Sequence, residues 1–91
     1  MARVTFARAI QRHVECPPAE VPGATLGEVL HGYFAERPLA RGYVLDDTGA
    51  VRRHIAVFVN DTLITDRVTL TDPVTDADTV SVFQALSGGA A

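Results

Sequence analysis

The 91-residue chain has no lysine, and its eight basic residues are all arginines. No side chain therefore offers an ε-amine, and the chain cannot accept an isopeptide bond or link to itself through lysine. Cysteine occurs once, at Cys16. That excludes an internal disulfide and a ferredoxin-type cluster, which needs four thiolates. Long apolar runs are missing as well, so nothing here spans a bilayer and no membrane partner is expected. The start, Met1-Ala2-Arg3-Val4-Thr5-Phe6, lacks the apolar core of a signal peptide, and a cytoplasmic location is expected. There is no basic excess. A net charge of −3 and a pI near 5.4 argue against nucleic acid and suit a partner with a basic surface. His13, His31 and His54 are too far apart for ligand spacing, so no metal site is expected. No repeat, linker or low-complexity stretch interrupts the chain.

What is present is a small globular domain. Apolar residues are 47% of the chain, enough for one modest core. Val4 and Phe6 alternate with Thr5 and Ala7, as in a half-buried first strand. Pro17, Pro18 and Pro22 flank Ala19-Glu20-Val21, so a strand there must lie at an edge. Thr25 to about Arg37 reads as the one main helix. Thr25 and Glu28 fit a capping box, and Leu26, Val29, Leu30, Tyr33 and Phe34 form one stripe. Pro38 stops this helix. Gly27 and Gly32 weaken it by roughly 1 kcal/mol each unless they allow a close approach to a sheet.

Tyr43-Val44-Leu45 reads as a short strand and Asp46-Asp47-Thr48-Gly49 as a turn. Val51 to Asn60 reads as the strongest strand, with Ile55, Val57 and Val59 on one face. Asn60-Asp61 is a hairpin turn in which Asn60 tolerates positive φ. A last strand begins at Thr79, with Val80 and Val82 facing inward. One helix on a mixed sheet of four to five strands is an α+β arrangement. The domain covers residues 1–86, and a flexible tail follows over 87–91. In that tail Gly88-Gly89 is thin and mobile, because glycine has no Cβ. It can enter a narrow active site and present a carboxylate there. Small residues are also common at termini that simply fray.

The element order matches the β-grasp, or ubiquitin-like, fold. Three stretches resemble the MoaD/ThiS family of bacterial sulfur carriers. They are Thr25-Leu26-Gly27-Glu28-Val29-Leu30, Val57-Phe58-Val59-Asn60-Asp61, and Asp78-Thr79-Val80-Ser81-Val82-Phe83 leading to Leu86-Ser87-Gly88-Gly89. Leu39 to Arg53 is an insertion relative to the thiamine-type carriers. Arg53 to Asp61 resembles most closely the carriers of a cysteine-biosynthesis route. The chain departs from the family in having Gln84-Ala85 where proline is common. It also continues past Gly89 with Ala90 and Ala91, either a native extension or a cloning remnant.

The resemblance implies a co-substrate rather than an enzyme, with no bound cofactor and no catalytic side chain. An E1-like adenylating enzyme would use ATP and Mg to activate the Gly89 carboxylate. Displacement of AMP by sulfide or persulfide would leave a thiocarboxylate. Ser87 and Gly88 would let the tail thread a channel, and Ala90-Ala91 would first be removed by a JAMM-type peptidase. A sulfur-acceptor enzyme would follow, such as a cysteine-synthase-like protein or the large subunit of molybdopterin synthase. Thiamine or a sulfur-containing metabolite remains open as the end product. The open alternatives are a protein modifier conjugated through Gly89 and a binding module without tail chemistry.

Phe83 and Leu86 are the expected partner-binding residues, since an exposed aromatic beside the tail suits docking. The alternative for Phe83 is packing under the neighbouring hairpin. Cys16 reads as a small buried residue at a strand entry rather than a nucleophile. Arg52-Arg53 reads as a solvated strand start or an ion-pairing patch. His31 lies off the helix stripe and reads as solvated. Asp46-Asp47 and Asp76-Asp78 resemble turn residues more than calcium ligands.

Overall fold

In Ala2-Arg3-Val4-Thr5-Phe6 every second residue is apolar and small or bulky enough to fill a core. This makes β1 (Ala2–Phe6), with Ala2, Val4 and Phe6 buried. In the computed structural model, which describes residues 1–85, β1 pairs on one side with β2 (Ala19–Val21), antiparallel. On its other side it pairs in parallel with β5 (Thr79–Gln84), Val4 opposite Val80 and Phe6 opposite Val82. β5 then pairs antiparallel with β3 (Ile55–Val59), and β3 with the two-residue β4 (Thr62–Leu63). The order β2-β1-β5-β3-β4 places the first and last strands side by side at the centre. This is the β-grasp fold. The proline-flanked β2 is an edge strand, as its missing donors require.

One face of the sheet is covered by α2 (Leu26–Ala35), slightly shorter than the expected span. Its cap forms as the sequence suggests: the Glu28 amide donates to Thr25 Oγ1 at 3.2 Å. The Glu28 carboxylate reaches one residue further back than in the usual box, accepting from the Ala24 amide at 2.8 Å. Leu26, Val29, Leu30, Tyr33 and Phe34 are all buried against Phe6, Val57, Val80 and Val82 in one core. Each such side chain contributes about 1.5–3 kcal/mol by leaving water. Gly32 does allow the helix to approach the sheet, since a Cβ there would lie 2.9 Å from Val21. Gly27 instead faces the 69–70 loop, where its amide donates to the Leu70 carbonyl at 2.9 Å.

Three expectations need correction. Tyr43-Val44 is not a strand but the end of a helix, α3 (Pro38–Val44), and Leu45 makes only a single bridge to Val51. Pro38 ends one helix and begins the next, because its fixed φ suits a first helical position. The first strand is followed at once by a four-residue helix, α1 (Arg8–Gln11), that buries Ile10. The third strand starts at Ile55 rather than Val51. Asn60 turns into β4 with φ of 57°, as expected. Among the described residues no helix is long and apolar enough to cross a membrane.

Candidate functional site

β5 is the element that leads into the tail. Its alternation puts Val80 and Val82 in the core, fully buried, and leaves Thr79, Ser81 and Phe83 on the uncovered face. Phe83 is 46% exposed. It also meets Phe58 of β3 edge-on, ring centroids 5.6 Å apart. Phe83 therefore packs on the neighbouring strand while nearly half of its surface stays exposed. Leu63, 51% exposed, pairs with Phe58 and shares its face. Phe58, Asn60, Asp61, Ser81 and Phe83 line a shallow depression there. An exposed apolar patch of this kind suits an interface core.

The last described residue is Ala85, whose amide donates to the His54 carbonyl at 2.7 Å. Around it lies a cluster that no single sequence window contains. His13 stacks on Tyr43 with centroids 5.5 Å apart, and His54 meets Tyr43 edge-on at 5.7 Å. The Tyr43 hydroxyl donates to Gln84 Oε1 at 3.2 Å. These residues come from the loop after α1, from α3, from the turn before β3 and from β5. The spacing of Ala40 and Val44 behind Pro38 was the available signal for the helix that carries Tyr43. Leu86, Ser87, Gly88, Gly89, Ala90 and Ala91 lie outside the described residues.

Cys16 and His31 lie outside this cluster, and Arg52 borders it. Cys16 is buried, donates to the Val14 carbonyl at 3.4 Å, and has its pKa pushed up by desolvation. A raised thiol pKa is the opposite of what a nucleophile needs. His31 is exposed on α2. Arg52 does not start a strand. Its Nε donates to the Gly42 carbonyl at 2.8 Å and so ties the turn before β3 to α3.

The carboxylates build turns. The hydroxyls of Thr69 and Thr71, followed by their amides, hold Asp66 well below the usual carboxylate range. The amides of Thr65 and Asp66 lower Asp72. The Thr75 amide and then the Asn60 side chain lower Asp78. The Thr48 hydroxyl, foremost, lowers Asp46. Among the described residues no group of three or more His, Cys, Asp or Glu is placed to hold a metal ion.

Chemically, the region offers an anchored strand with an apolar face beside it, and Gly89 follows four residues beyond Ala85 in the sequence. Four extended residues reach ~14 Å.

The sequence pattern of the ThiS family matches residues 11–89. No curated protein sequence matches the chain significantly. Solved structures do resemble it. One chain of the BexX/CysO complex of Amycolatopsis orientalis superposes with a TM-score of 0.79 at 22% identity, covering 98% of this chain and all of that one. SAMP1 of Haloferax volcanii gives 0.75 at 23%, covering 97% and 98%. CysO of Mycobacterium tuberculosis, described as an antigen, gives 0.78 at 21%, covering 94% of this chain and 100% of that one. At these identities the likeness establishes a shared fold.

Proposed function

This chain belongs to the ThiS family, and from that premise we propose that it is a sulfur-carrier protein whose working end is Gly89. The single observation that carries this reading is where β5 delivers the chain. The strand is fixed at the centre of the sheet, Ala85 just beyond it is bonded to His54, and a Gly-Gly pair follows within four residues, ~14 Å if extended. The family match also stops at Gly89, which supports treating Ala90-Ala91 as an extension removed before use. The domain up to residue 86 is the handle and 87–91 the tail.

A carboxylate is a poor electrophile at neutral pH. In this reading an E1-like partner uses Mg-ATP. A Gly89 carboxylate oxygen attacks the α-phosphorus, and pyrophosphate leaves. Sulfide then attacks the acyl carbon and AMP departs, leaving a thiocarboxylate. Where a persulfide attacks instead, the product is an acyl disulfide, and a second thiol cleaves its S–S bond to release the thiocarboxylate and a disulfide. The chain lends position and no catalytic group. Ser87 and Gly88 pass through the partner's channel while Phe83 and Leu86 dock outside it. A JAMM-type peptidase trims the extension, and a sulfur-acceptor enzyme takes the sulfur. The resemblance of Arg53 to Asp61 to carriers of a cysteine-biosynthesis route supports a cysteine-synthase-like acceptor over a molybdopterin-synthase-type one.

The test is the intact mass of the untagged protein from its own cells. A mass ending at Gly89 with one carboxylate oxygen replaced by sulfur is the expected result. A mass that keeps Ala91 as free carboxylate under every growth condition rejects the reading. The likeness to SAMP1, a small archaeal modifier protein in a related solved structure, keeps one second reading in play. There Gly89 forms amide bonds with lysines of other proteins, and conjugates rather than thiocarboxylate are recovered.

A further inference from the structure

The chain is acidic as a whole, yet the end from which the tail leaves is basic. β1 and β5 are parallel, so the segment after Phe6 and the chain after Gln84 leave the sheet at the same end. β3 is antiparallel to β5 and begins there too. Segments 7–15 and 52–54 therefore flank the tail root. They carry Arg8, Arg12, Arg52 and Arg53 against one acid of their own, Glu15, a charge of +3. The adjoining 38–47 segment adds Arg41, Asp46 and Asp47, with Asp46 within electrostatic reach of Arg52, which brings the region to +2 and leaves the rest of the chain at −5.

The two segments are tied to the strand end. The Ala7 amide donates to the Val82 carbonyl at 2.9 Å, just before Arg8. His13, next to Arg12, stacks on Tyr43, and Tyr43 meets His54, next to Arg53. Tyr43 in turn holds Gln84. Arg52 is committed internally through Gly42, but Arg8, Arg12 and Arg53 are exposed. Among the described residues the one ion pair joins the Met1 amino group to Asp76, at the far end, and none involves an arginine.

We propose that Arg8, Arg12 and Arg53 form a basic collar round the tail root that docks on an acidic surface of the enzyme that takes up the tail. This rests on the carrier reading for the identity of the partner, and it reverses the basic partner that the overall charge suggests. Unpaired guanidinium groups at a rim steer association and set register more than they add contact energy. Three exposed arginines on an acidic chain are too few for a nucleic-acid footprint, which needs a broad basic face.

The first experiment needs no partner. A decaglutamate peptide is titrated into the isotope-labelled chain, and amide shifts are followed. Shifts centred on Arg8, Arg12, His13, Arg53 and His54 are expected. They should vanish at about 0.5 M salt, where screening acts within a few ångströms. They should vanish too in Arg12→Glu/Arg53→Glu. No shift, or shifts equally large at Arg3 and Arg37, overturns the collar. Tighter binding of a short DNA duplex at the same residues overturns the choice of a protein partner.

The second experiment uses an adenylating enzyme of the same genome, assayed by ATP–pyrophosphate exchange with the chain ending at Gly89. Arg53→Glu should raise the KM for the carrier about tenfold at low salt and leave kcat unchanged. Arg3→Glu makes the same charge change at the other end of β1 and should do little. Equal effects of the two, with unchanged melting curves, overturn the proposal. If the chain ending at Gly89, with its arginines intact, supports no exchange with any such enzyme, the carrier reading fails, and the peptide titration still decides the collar.

Discussion

β5 begins and ends in different chemistry. At its start the polar groups are used within the molecule. Asp78 accepts from the Asn60 side chain at 2.9 Å and from the Thr75 amide at 2.9 Å. The Thr79 amide returns a bond to Asn60 at 3.0 Å, and Asp76 pairs with the chain's amino terminus at 3.2 Å. At its end the strand is held by the ladder to β3 and by bonds from Ala7 to Val82, from Ala85 to His54 and from Tyr43 to Gln84. Beside them stand Phe83, half exposed, and arginines without a carboxylate partner among the described residues. A network closed on itself fixes a fold and offers little to a partner. Unused apolar and charged groups are what an interface needs. The strand is held at one end and presented at the other.

The strongest way to break this contrast is at the tail. Ala90 and Ala91 move the terminal carboxylate ~7 Å past its place at Gly89. An error of about 1 Å can cost a hundredfold in rate. Full-length chain should therefore form acyl-adenylate at least about a hundredfold more slowly than chain ending at Gly89. Pyrophosphate exchange measures both, and equal rates would remove the need for trimming.

Next in size is Phe83→Ala. On the presented end this change should weaken the adenylating partner by about 2 kcal/mol, as an interface anchor does. The fold loses mainly the edge-on contact with Phe58, about 1 kcal/mol. Binding and melting curves measured on one sample separate the two effects. Loss of thermal stability with unchanged affinity would place Phe83 with the closed structure instead.

How much of this was readable beforehand follows the same division. Strand β5 and its faces were legible because a period of two assigns Val80 and Val82 inward without knowledge of neighbours. The same holds for the stripe of α2 and the turn at Asn60. Helix α3 was not, since Tyr43-Val44-Leu45 has the side chains of a strand, and only packing of Ala40 and Val44 decides otherwise. α1 is too short to show a period. With α3 hidden, the meeting of His13, Tyr43 and His54 could not be foreseen. Nor could the basic tail end, since a net charge sums over both ends and conceals their difference.

The start of β5 and the 65–72 loop should announce themselves under acid. Asp66, Asp72 and Asp78 have pKa values depressed in the folded chain by bonds that unfolding breaks. A depressed folded pKa contributes stability that is complete above the ordinary carboxylate pKa of about 4. It is lost as pH falls through that value toward the folded one. Melting temperature should thus hold steady through neutral pH and drop below about pH 4. Asp78→Asn should lower stability at neutral pH and flatten the acid limb. An unchanged limb would mean that other carboxylates govern it.

The smallest effect is the most local. Tyr43→Phe removes the hydroxyl that donates to Gln84 and keeps the ring between His13 and His54. The bond is exposed, so its loss should cost the fold under about 1 kcal/mol. What should change is the last fastening of β5. Amide exchange at Ala85 should quicken, while Thr79, at the closed end, keeps its rate. Equal quickening at both positions would mean that β5 opens as one unit. The two ends would then differ in surface chemistry and not in how firmly the strand is held.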